Sequence, residues 1–252
     1  MLVAFILSMP SPARGITVNP LLYETDDGYL SVSGVWAIAG WYPGNRGLSF
    51  SIRMGGFLEL ARWGGNSVAI AASSEVLASA PGGLISFHPL AARWEEGLLV
   101  TGPAGDAFWQ VGFLHSCKHD VDTTRRILVG TRLVGGMLCE HTQVFAHLYV
   151  YAKDYPRARE GKLLFSLEGR GSWRTKGDQG VSADGGLRLY GYRDGLGLDA
   201  RAGAGGFTAD AGAMMAGFVE YERIHDVGLY GSPAGMNLFQ VGLQTLSPRG
   251  FF

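Results

Sequence analysis

The sequence predicts an all-β fold, namely a single transmembrane antiparallel β-barrel of about twelve strands. Three observations lead to this prediction. Apolar and polar residues alternate in many segments of about ten residues, the polar face is rich in Gly, Ala and Ser with few charges, and aromatic residues fall mostly near segment ends. A confined interior explains such a polar face better than a surface in water does. The alternative is a soluble β-barrel or sandwich, which also alternates but points its apolar face inward.

The clearest alternation covers residues 48–60. Successive side chains of a strand point to opposite faces, so every second residue shares a face. Arg53 and Glu59 belong to the polar face and are predicted to line the interior. The apolar face is predicted to contact lipid and consists of Leu48, Phe50, Ile52, Met54, Leu58 and Leu60, with Gly56 as the one gap.

The other strands follow from the same alternation and from the turn residues between them. Apolar and small residues alternate from 30 to 38, and regular alternation also marks 144–153, 163–172 and 196–203, whereas 66–77 and 212–224 are weakly patterned. Turn-forming residues lie at 43–46, 64–66, 81–83, 103–105, 194–195 and 233–235. The predicted strands are 29–42, 47–62, 66–77, 84–100, 106–117, 126–138, 142–153, 162–174, 186–194, 196–208, 212–224 and 236–247.

The composition supports a single membrane-embedded domain. Hydrophobic residues make up 47% of the 252 residues and charged residues only 17%, which is apolar for a soluble protein. No apolar run reaches the roughly 18 residues of a membrane-spanning helix. A formal net charge of −1 gives no reason to expect a nucleic acid partner. We expect no cofactor, and we expect one barrel domain over residues 14–252.

The N-terminus predicts an export signal. Residues 2–9 are apolar and residues 11–13 are small, so residues 1–13 are expected to be a truncated secretory signal segment. An ordinary apolar N-terminal strand or helix is the alternative. The terminal Phe252 resembles the recognition signal of bacterial outer-membrane proteins, so the barrel-assembly machinery is an expected partner.

The densest polar cluster lies at 115–122 and is the candidate for chemistry. If the chain starts in the periplasm, the fifth strand ends at the cell surface and His115 lies on its lipid-facing side. Histidine can act as a base, serine as a nucleophile and aspartate as an orienting group, which suits hydrolysis of lipid esters. Adjacent residues point to opposite faces, so a serine from a neighbouring strand is a better partner for His115 than Ser116 is. The candidate catalytic residues are His115, Ser116, His119, Asp120 and Asp122.

Two other roles remain open for this cluster. His115 and His119, with Asp120 or Asp122, offer the imidazole and carboxylate ligands that suit zinc or related ions. Alternatively, the same residues form a polar loop base that fixes a hairpin at the membrane surface.

The segment from Trp109 to Asp122 also carries a family resemblance. Its apolar strand followed by His115-x-x-x-His119-x-x-Asp122 resembles the hallmark of an uncharacterised group of bacterial outer-membrane proteins with a domain of unknown function. This resemblance implies an outer-membrane barrel without a known activity. Members of the group usually place a serine two residues after the first histidine, where this chain has Cys117. The segment is also loosely similar to outer-membrane phospholipases and lipid A deacylases, which carry His-x-Ser with an asparagine nearby that this segment lacks.

The polar faces of the predicted strands place charged residues in the interior. Buried charges must pair or stay hydrated, so we expect either an ion-pair network that fills the barrel or a small-solute pore in which arginines favour anions. His88 is expected to be an interior residue, and His225 with Asp226 to cap a loop. The predicted lumen-lining residues are Arg53, Glu59, Arg132, His147, Glu168, Arg170, Arg188, Asp199 and Arg201.

The two cysteines test the predicted strand order. Cys117 and Cys139 lie near the ends of successive strands at opposite sides of the barrel, so one strand separates them by tens of Å. A disulfide requires Cα atoms within about 7 Å of each other. We therefore predict that Cys117 and Cys139 are not bonded.

Three functions remain open from the residues. The first is a barrel of the bacterial outer membrane with a structural role or a small-solute pore. The second is an outer-membrane lipid-modifying hydrolase, similar to a lipid A deacylase or phospholipase, that uses the 115–122 cluster. The third is a soluble β-barrel binding module. Outer-membrane lipids are expected partners of the first two.

Overall fold

The computed structural model describes residues 27–30, 32–45, 47–80, 87–121, 127–139, 142–153, 162–210, 213–224 and 235–249. The predicted signal segment and three residues singled out from the sequence, Asp122, His225 and Asp226, lie outside this part of the chain. The described residues form a sheet of twelve long strands and one short one. No described helix is long and apolar enough to cross a membrane.

Thirteen strands follow one another along the chain. They are β1 (Gly28–Tyr29), β2 (Ser33–Trp41), β3 (Phe50–Trp63), β4 (Asn66–Ser79), β5 (His88–Ala104), β6 (Ala107–Asp120), β7 (Ile127–Leu138), β8 (Thr142–Lys153), β9 (Leu163–Arg174), β10 (Gln179–Tyr192), β11 (Gly195–Asp210), β12 (Ala213–Ile224) and β13 (Met236–Arg249).

The sheet closes on itself. Each strand from β2 to β13 pairs antiparallel with the next, and β13 pairs with β2 through Val241↔Trp41 to Arg249↔Ser33. The short β1 pairs only with the end of β3, at Arg62 and Ala61. Closure removes the unpaired sheet edges that a membrane would not tolerate. The predicted all-β class, a single antiparallel barrel of about twelve strands, is confirmed.

The predicted strand positions agree with the structure to within about three residues at nine of the twelve strands. The exceptions are β2, which begins at Ser33 rather than 29, β5, which is shifted by four residues to His88–Ala104, and, most strongly, β10. This strand begins at Gln179, seven residues before the predicted start at 186. Its first half carries Ser182 and Asp184 on one face, and two adjacent glycines lie near its centre, so few large apolar residues mark the alternation there. Backbone pairing with β11 nevertheless extends from Gln179↔Thr208 to Tyr192↔Gly195.

Burial along the strands is inverted relative to a soluble protein. On β3, Met54 is 54% exposed whereas Arg53 is 4% exposed and Glu59 is fully buried. Large apolar side chains are exposed around the whole circumference, among them Ile52, Ile70, Leu98, Phe113, Leu133, Leu148, Leu167, Leu187, Leu198, Val219 and Leu243. Such a continuous apolar belt is stable in a lipid bilayer and not in water. This finding argues against the soluble binding module.

The two ends of the barrel differ in their connections. At one end the connections between strands are short, namely 64–65, 105–106, 139–141, 175–178 and 211–212. At the other end the connections are 42–49, 80–87, 121–126, 154–162 and 225–235, with only 193–194 short. Short turns are typical of the periplasmic side and longer loops of the extracellular side. This assignment places the C-terminal end of β6 at the extracellular end, as the sequence argument assumed.

The cysteines agree with this strand order. Cys117 lies four residues from the extracellular start of the β6–β7 connection, and Cys139 directly follows β7 at the periplasmic end. Neither cysteine forms a disulfide. The prediction that they are not bonded is confirmed.

Candidate functional site

Strand β6 divides the predicted catalytic cluster between two faces of the barrel wall. His115, Cys117 and His119 share the outward face with the exposed Val111 and Phe113. The residues between them, Ser116, Lys118 and Asp120, point to the interior. Alternation over an unbroken strand therefore sorts the cluster into an outward imidazole and thiol group and an inward hydroxyl, ammonium and carboxyl group.

The outward group contains a close thiol and imidazole pair. The Sγ of Cys117 lies 3.1 Å from Nε2 of His119. The indole of Trp94, on β5, stacks on the His119 ring with 4.7 Å between ring centroids and 19° between planes. Trp94 is also the register partner of Cys117. These neighbours leave Cys117 only 6% exposed although it lies on the outer wall.

A carboxylate lies next to this pair on the same outer surface. Glu96 is exposed, follows Trp94 on the outward face of β5, and is the direct register partner of His115 on β6. Its outward neighbour along the strand, Leu98, is part of the apolar belt. Ionisable side chains at membrane depth are costly and are usually functional. Trp94, Glu96, His115, Cys117 and His119 are hereafter called the outer-wall cluster.

Two of the sequence-predicted residues do not join the outer-wall cluster. Asp120 is buried in the interior, where its Oδ1 lies 3.7 Å from Nζ of Lys118. Ser116 also points inward, opposite Glu95 and Gly130. The structure therefore does not bring Ser116 or Asp120 to the imidazole of His115. The physical reason is the two-residue period of the strand, which no bulge interrupts between 107 and 120.

The sequence reasoning missed Trp94 and Glu96 and treated Cys117 only as a departure from a family pattern. One signal was available, because Glu96 interrupts the apolar face formed by Ala92, Trp94, Leu98 and Val100. The metal alternative gains no support here, since the described residues contain no group of three or more His, Cys, Asp or Glu side chains placed to hold a metal ion.

The interior carries buried ion pairs at several levels. Near the periplasmic end, Glu59 accepts hydrogen bonds from Arg62 at 2.8 Å and from Ser67 at 2.5 Å. Closer to the extracellular end, Nε of Arg53 lies 3.4 Å from the Glu75 carboxylate, and Arg132 donates a hydrogen bond to Glu95 at 3.0 Å. The sequence did not identify Glu75 or Glu95 as lumen residues. Both lie on segments whose alternation is weak or interrupted.

A second group of buried charges occupies the opposite wall. Glu168 pairs with Arg170 and lies 3.6 Å from both Arg188 and His147. Asp199 accepts a hydrogen bond from the Tyr190 hydroxyl at 2.6 Å. The structure thus places all the predicted lumen-lining side chains among buried polar neighbours. His88 differs, because it is exposed at the extracellular start of β5 rather than in the interior.

Arg201, on β11, forms ion pairs with carboxylates on both neighbouring strands. Its Nη1 donates to Glu220 at 3.3 Å, and its Nη2 lies 3.4 Å from Asp184. Two cavities meet at this side chain. One is lined by Arg53, Arg201, Glu220 and Gln240 among others, and the other by Glu168, Asp199, Arg201 and Glu222 among others. Each has room for about one water molecule, since the space open to a water-sized sphere is about 20 Å³ in both.

Apolar side chains form a buried cluster in the interior near the extracellular end. Its members are Tyr42, Leu48, Leu77 and Leu238, so the prediction that Leu48 faces lipid is wrong. The interior therefore holds apolar side chains as well as ion pairs.

The closed sheet, the outward apolar belt and the unequal ends define a transmembrane β-barrel of the bacterial outer-membrane type. Solved structures share this fold. Outer membrane phospholipase A from Escherichia coli aligns with a TM-score of 0.54 at 10% identity, over 90% of this chain and 95% of that chain. The Salmonella typhi outer membrane phospholipase dimer, solved with bound calcium, aligns with a TM-score of 0.52 at 10% identity over the same 90% and 95%. At such identities the similarity establishes the fold.

No family model matches the sequence, and no curated protein matches it. The resemblance of 109–122 to an uncharacterised outer-membrane family therefore stays a prediction.

Proposed function

We propose that this protein is an outer-membrane hydrolase that cleaves acyl esters of outer-leaflet lipids at the outer-wall cluster. The observation that carries the proposal is the 3.1 Å approach of the Cys117 Sγ to Nε2 of His119 on the lipid-facing side of β6. A thiol becomes a strong nucleophile when an adjacent base takes its proton. The pair lies within four residues of the extracellular end of β6, at the level of the outer leaflet.

The chemistry requires two steps. In the first, His119 accepts the thiol proton while Cys117 attacks the ester carbonyl carbon, and the alcohol of the lipid departs with the proton from the imidazolium. The product is a thioester between the acyl chain and Cys117. In the second, His119 takes a proton from water, the hydroxide oxygen attacks the thioester, and a carboxylic acid and the free thiol result. The sum is ester plus water giving acid plus alcohol.

The other members of the cluster have positioning roles in this proposal. Trp94 stacks on His119 and fixes the plane of its ring. Glu96 lies directly across from His115, so its carboxylate is placed to orient that second imidazole. The exposed Leu98, Val111 and Phe113 extend the surface toward the membrane centre, where they would contact the acyl chain of the substrate. Outer membrane phospholipases of this fold are a precedent that supports the proposal.

The test uses the full chain folded in detergent micelles and mixed with phosphatidylcholine or with lipid A. We expect fatty acid release, and we expect a mass increase of one acyl chain on Cys117 when the reaction is quenched early. Cys117→Ala should abolish release, and His119→Leu should slow it by about a hundredfold or more. Cys139→Ala is the matched control, because this second free cysteine lies at the opposite end of the barrel. The absence of release from both lipids, or unchanged release by Cys117→Ala, would overturn the proposal.

A small-solute pore is the second candidate, and one observation favours it. Arg201 lines both interior cavities, so its side chain lies between two small polar spaces inside the barrel. The arginines that suggested an anion pore have acidic neighbours, namely Glu75, Glu95, Glu168, Asp184 and Glu220. These carboxylates balance the charge of the arginines, so we do not propose that the pore prefers anions.

In both candidates the protein lies in the bacterial outer membrane and has lipids and the barrel-assembly machinery as partners. The apolar belt supports the lipid contact. Detection of the protein in the outer-membrane fraction of its source cell, and its loss from that fraction when the assembly machinery is depleted, test these partners.

A further inference from the structure

We infer that Arg223 and Asn237 form a binding site for a phosphate group of an outer-leaflet glycolipid, the chemistry of lipid A. The two exposed residues are direct register partners on β12 and β13. Each lies one residue from the extracellular end of its strand, next to the 225–235 connection. Strand β12 is half the ring away from β6, so the inference does not depend on the outer-wall cluster or on hydrolysis.

Arg223 differs from the other residues on the lipid-facing side of the barrel. Because side chains alternate along β12, it shares the outward face with Val219 and Tyr221, which are 44% and 49% exposed. Among the strand side chains that the structure describes, it is the one arginine or lysine that faces outward. A cation next to the bilayer is costly unless an anion compensates it, and such residues usually have a function.

The carboxylates of β12 lie on the other side of the barrel wall. Glu220 and Glu222 point to the interior and are 5% and 3% exposed. Glu220 pairs with Arg201, and within the described part of the chain Arg223 forms no ion pair. The outward surface at this end of β12 therefore carries a positive charge, which is complementary to a phosphate.

A hydrogen bond fixes the second member of the site. The Tyr221 hydroxyl donates to Oδ1 of Asn237 at 2.9 Å. The amide nitrogen of Asn237 remains as a donor beside the Arg223 guanidinium, because directly opposite residues of an antiparallel pair have Cβ atoms about 4.5–5.5 Å apart. A guanidinium fork binds two phosphate oxygens, and a carboxamide beside it can donate to a third.

The surface that continues from this pair toward the periplasm is apolar on β12, β13 and β2. Val219, Phe239 and Trp41 are 44%, 50% and 41% exposed there. A lipid whose phosphate binds Arg223 places its acyl chains against this surface, which a free phosphate ion would leave uncovered. Lipid A carries several acyl chains and occupies the outer leaflet, so it covers three strands more fully than a phospholipid with two chains does.

The experiment is native mass spectrometry of the folded full-length barrel, released from micelles that contain lipid A, lipid A without its phosphates, or phosphatidylglycerol. We expect one lipid A per barrel, bound at least about tenfold more tightly than the form without phosphates, because that form leaves Arg223 unpaired. Arg223→Gln should weaken lipid A binding about tenfold and remove the preference for the phosphorylated form. Asn237→Leu should also weaken it, by a smaller factor.

Arg193→Gln is the matched control, because it removes the same charge from an exposed arginine in the connection between β10 and β11. We expect this variant to bind lipid A like the wild type. Heat-dependent migration on gels confirms that each variant is folded. Arg223→Lys, which keeps the charge but loses the fork, replaces Arg223→Gln if that variant fails this check, and it should bind more weakly than the wild type.

Each contrary result has a definite meaning. Equal binding of lipid A with and without phosphates, or unchanged lipid A binding by Arg223→Gln, would overturn the inference. Equal weakening by Arg193→Gln and Arg223→Gln would mean that general surface charge attracts the lipid, and it would also overturn the inference. Phosphatidylglycerol binding as tight as lipid A binding would reject a glycolipid as the occupant of the site.

Discussion

At the scale of single residues, Cys117 differs from an ordinary membrane-facing residue through its contact with His119. If the imidazole promotes the thiolate, alkylation of Cys117 by N-ethylmaleimide should be fast for such a buried thiol. In a Cys139→Ser background, His119→Leu should slow this alkylation by about tenfold or more. The modified fraction is measured against time by mass spectrometry of the intact protein.

The control for this labelling experiment is Val111→Ala, which changes the same outward face deeper in the membrane and should leave the rate unchanged. An equal rate in the His119→Leu variant would show that the imidazole has no effect on the thiol. Such a result would remove the nucleophile from the proposed hydrolase but would leave the barrel assignment intact.

Buried and exposed ion pairs should differ strongly in their contribution to stability. Glu59 is fully buried and binds Arg62 and Ser67 at the same time. Removing one partner of a buried pair costs about 3–5 kcal/mol, whereas an exposed pair contributes about 0–1 kcal/mol. Glu59→Ala should therefore lower the free energy of unfolding in urea by about 3–5 kcal/mol.

Lys162→Ala provides the comparison for Glu59→Ala. Lys162 and Asp194 form a 2.7 Å pair at the extracellular rim, and their side chains are 46% and 49% exposed. We expect a change of less than about 1 kcal/mol for this variant. If both variants unfolded at the same urea concentration, the interior pairs would not stabilise the barrel.

At the scale of strands, the sequence predicted the elements well because each side of the wall imposes a different polarity. On β3 the residues that face lipid are mostly apolar, whereas Arg53 and Glu59 face the interior, so the alternation is clear in the sequence. On the first half of β10, Ser182 and Asp184 face the interior and the opposite face carries mostly small residues, so the sequence analysis missed this part of the strand. Prediction therefore failed where both faces carry small or polar residues.

The pairing of β5 with β6, which sets the outer-wall cluster, depends on a glycine. A Cβ atom on Gly97 would lie 2.0 Å from the carbonyl oxygen of Phe113 and 2.8 Å from the Cα of Leu114. Both atoms belong to the backbone of β6, so the strand must shift to accommodate a methyl group. Gly97→Ala should lower the free energy of unfolding by about 1–3 kcal/mol, measured in urea.

Gly169→Ala is the matched control for Gly97→Ala, because a Cβ atom on that strand glycine meets nothing within 4 Å. We expect its stability to change by no more than about 0.5 kcal/mol. A similar loss in both variants would mean that the general cost of replacing a strand glycine, rather than the close approach of β5 and β6, is responsible. Hydrolysis should also fall in Gly97→Ala, since Glu96 and His115 would lose their register.

At the scale of the whole molecule, the sequence could place His115 and His119 on the outer wall but could not identify their neighbours. Trp94 and Glu96 reach them only through the register between two strands, which no local pattern encodes. Strand register also sets the ion pairs inside the barrel. Arg201 was predicted to face the interior, but its acidic partners Asp184 and Glu220 lie on the neighbouring strands β10 and β12, so the sequence alone could not identify them.

Substitution of Arg201, which lies in the interior of the closed barrel, tests whether solutes can cross it. Its side chain lines both interior cavities and forms ion pairs with Asp184 and Glu220. Arg201→Ala should join the cavities and leave two carboxylates at the junction, so single-channel conductance in planar bilayers should rise several-fold and favour K⁺ over Cl⁻. Arg193→Ala, which removes an exposed arginine from the connection between β10 and β11 and away from both cavities, should conduct like the wild type. If a folded Arg201→Ala barrel showed the wild-type conductance, the interior would be closed elsewhere, with the apolar cluster of Tyr42, Leu48, Leu77 and Leu238 as the next barrier to remove.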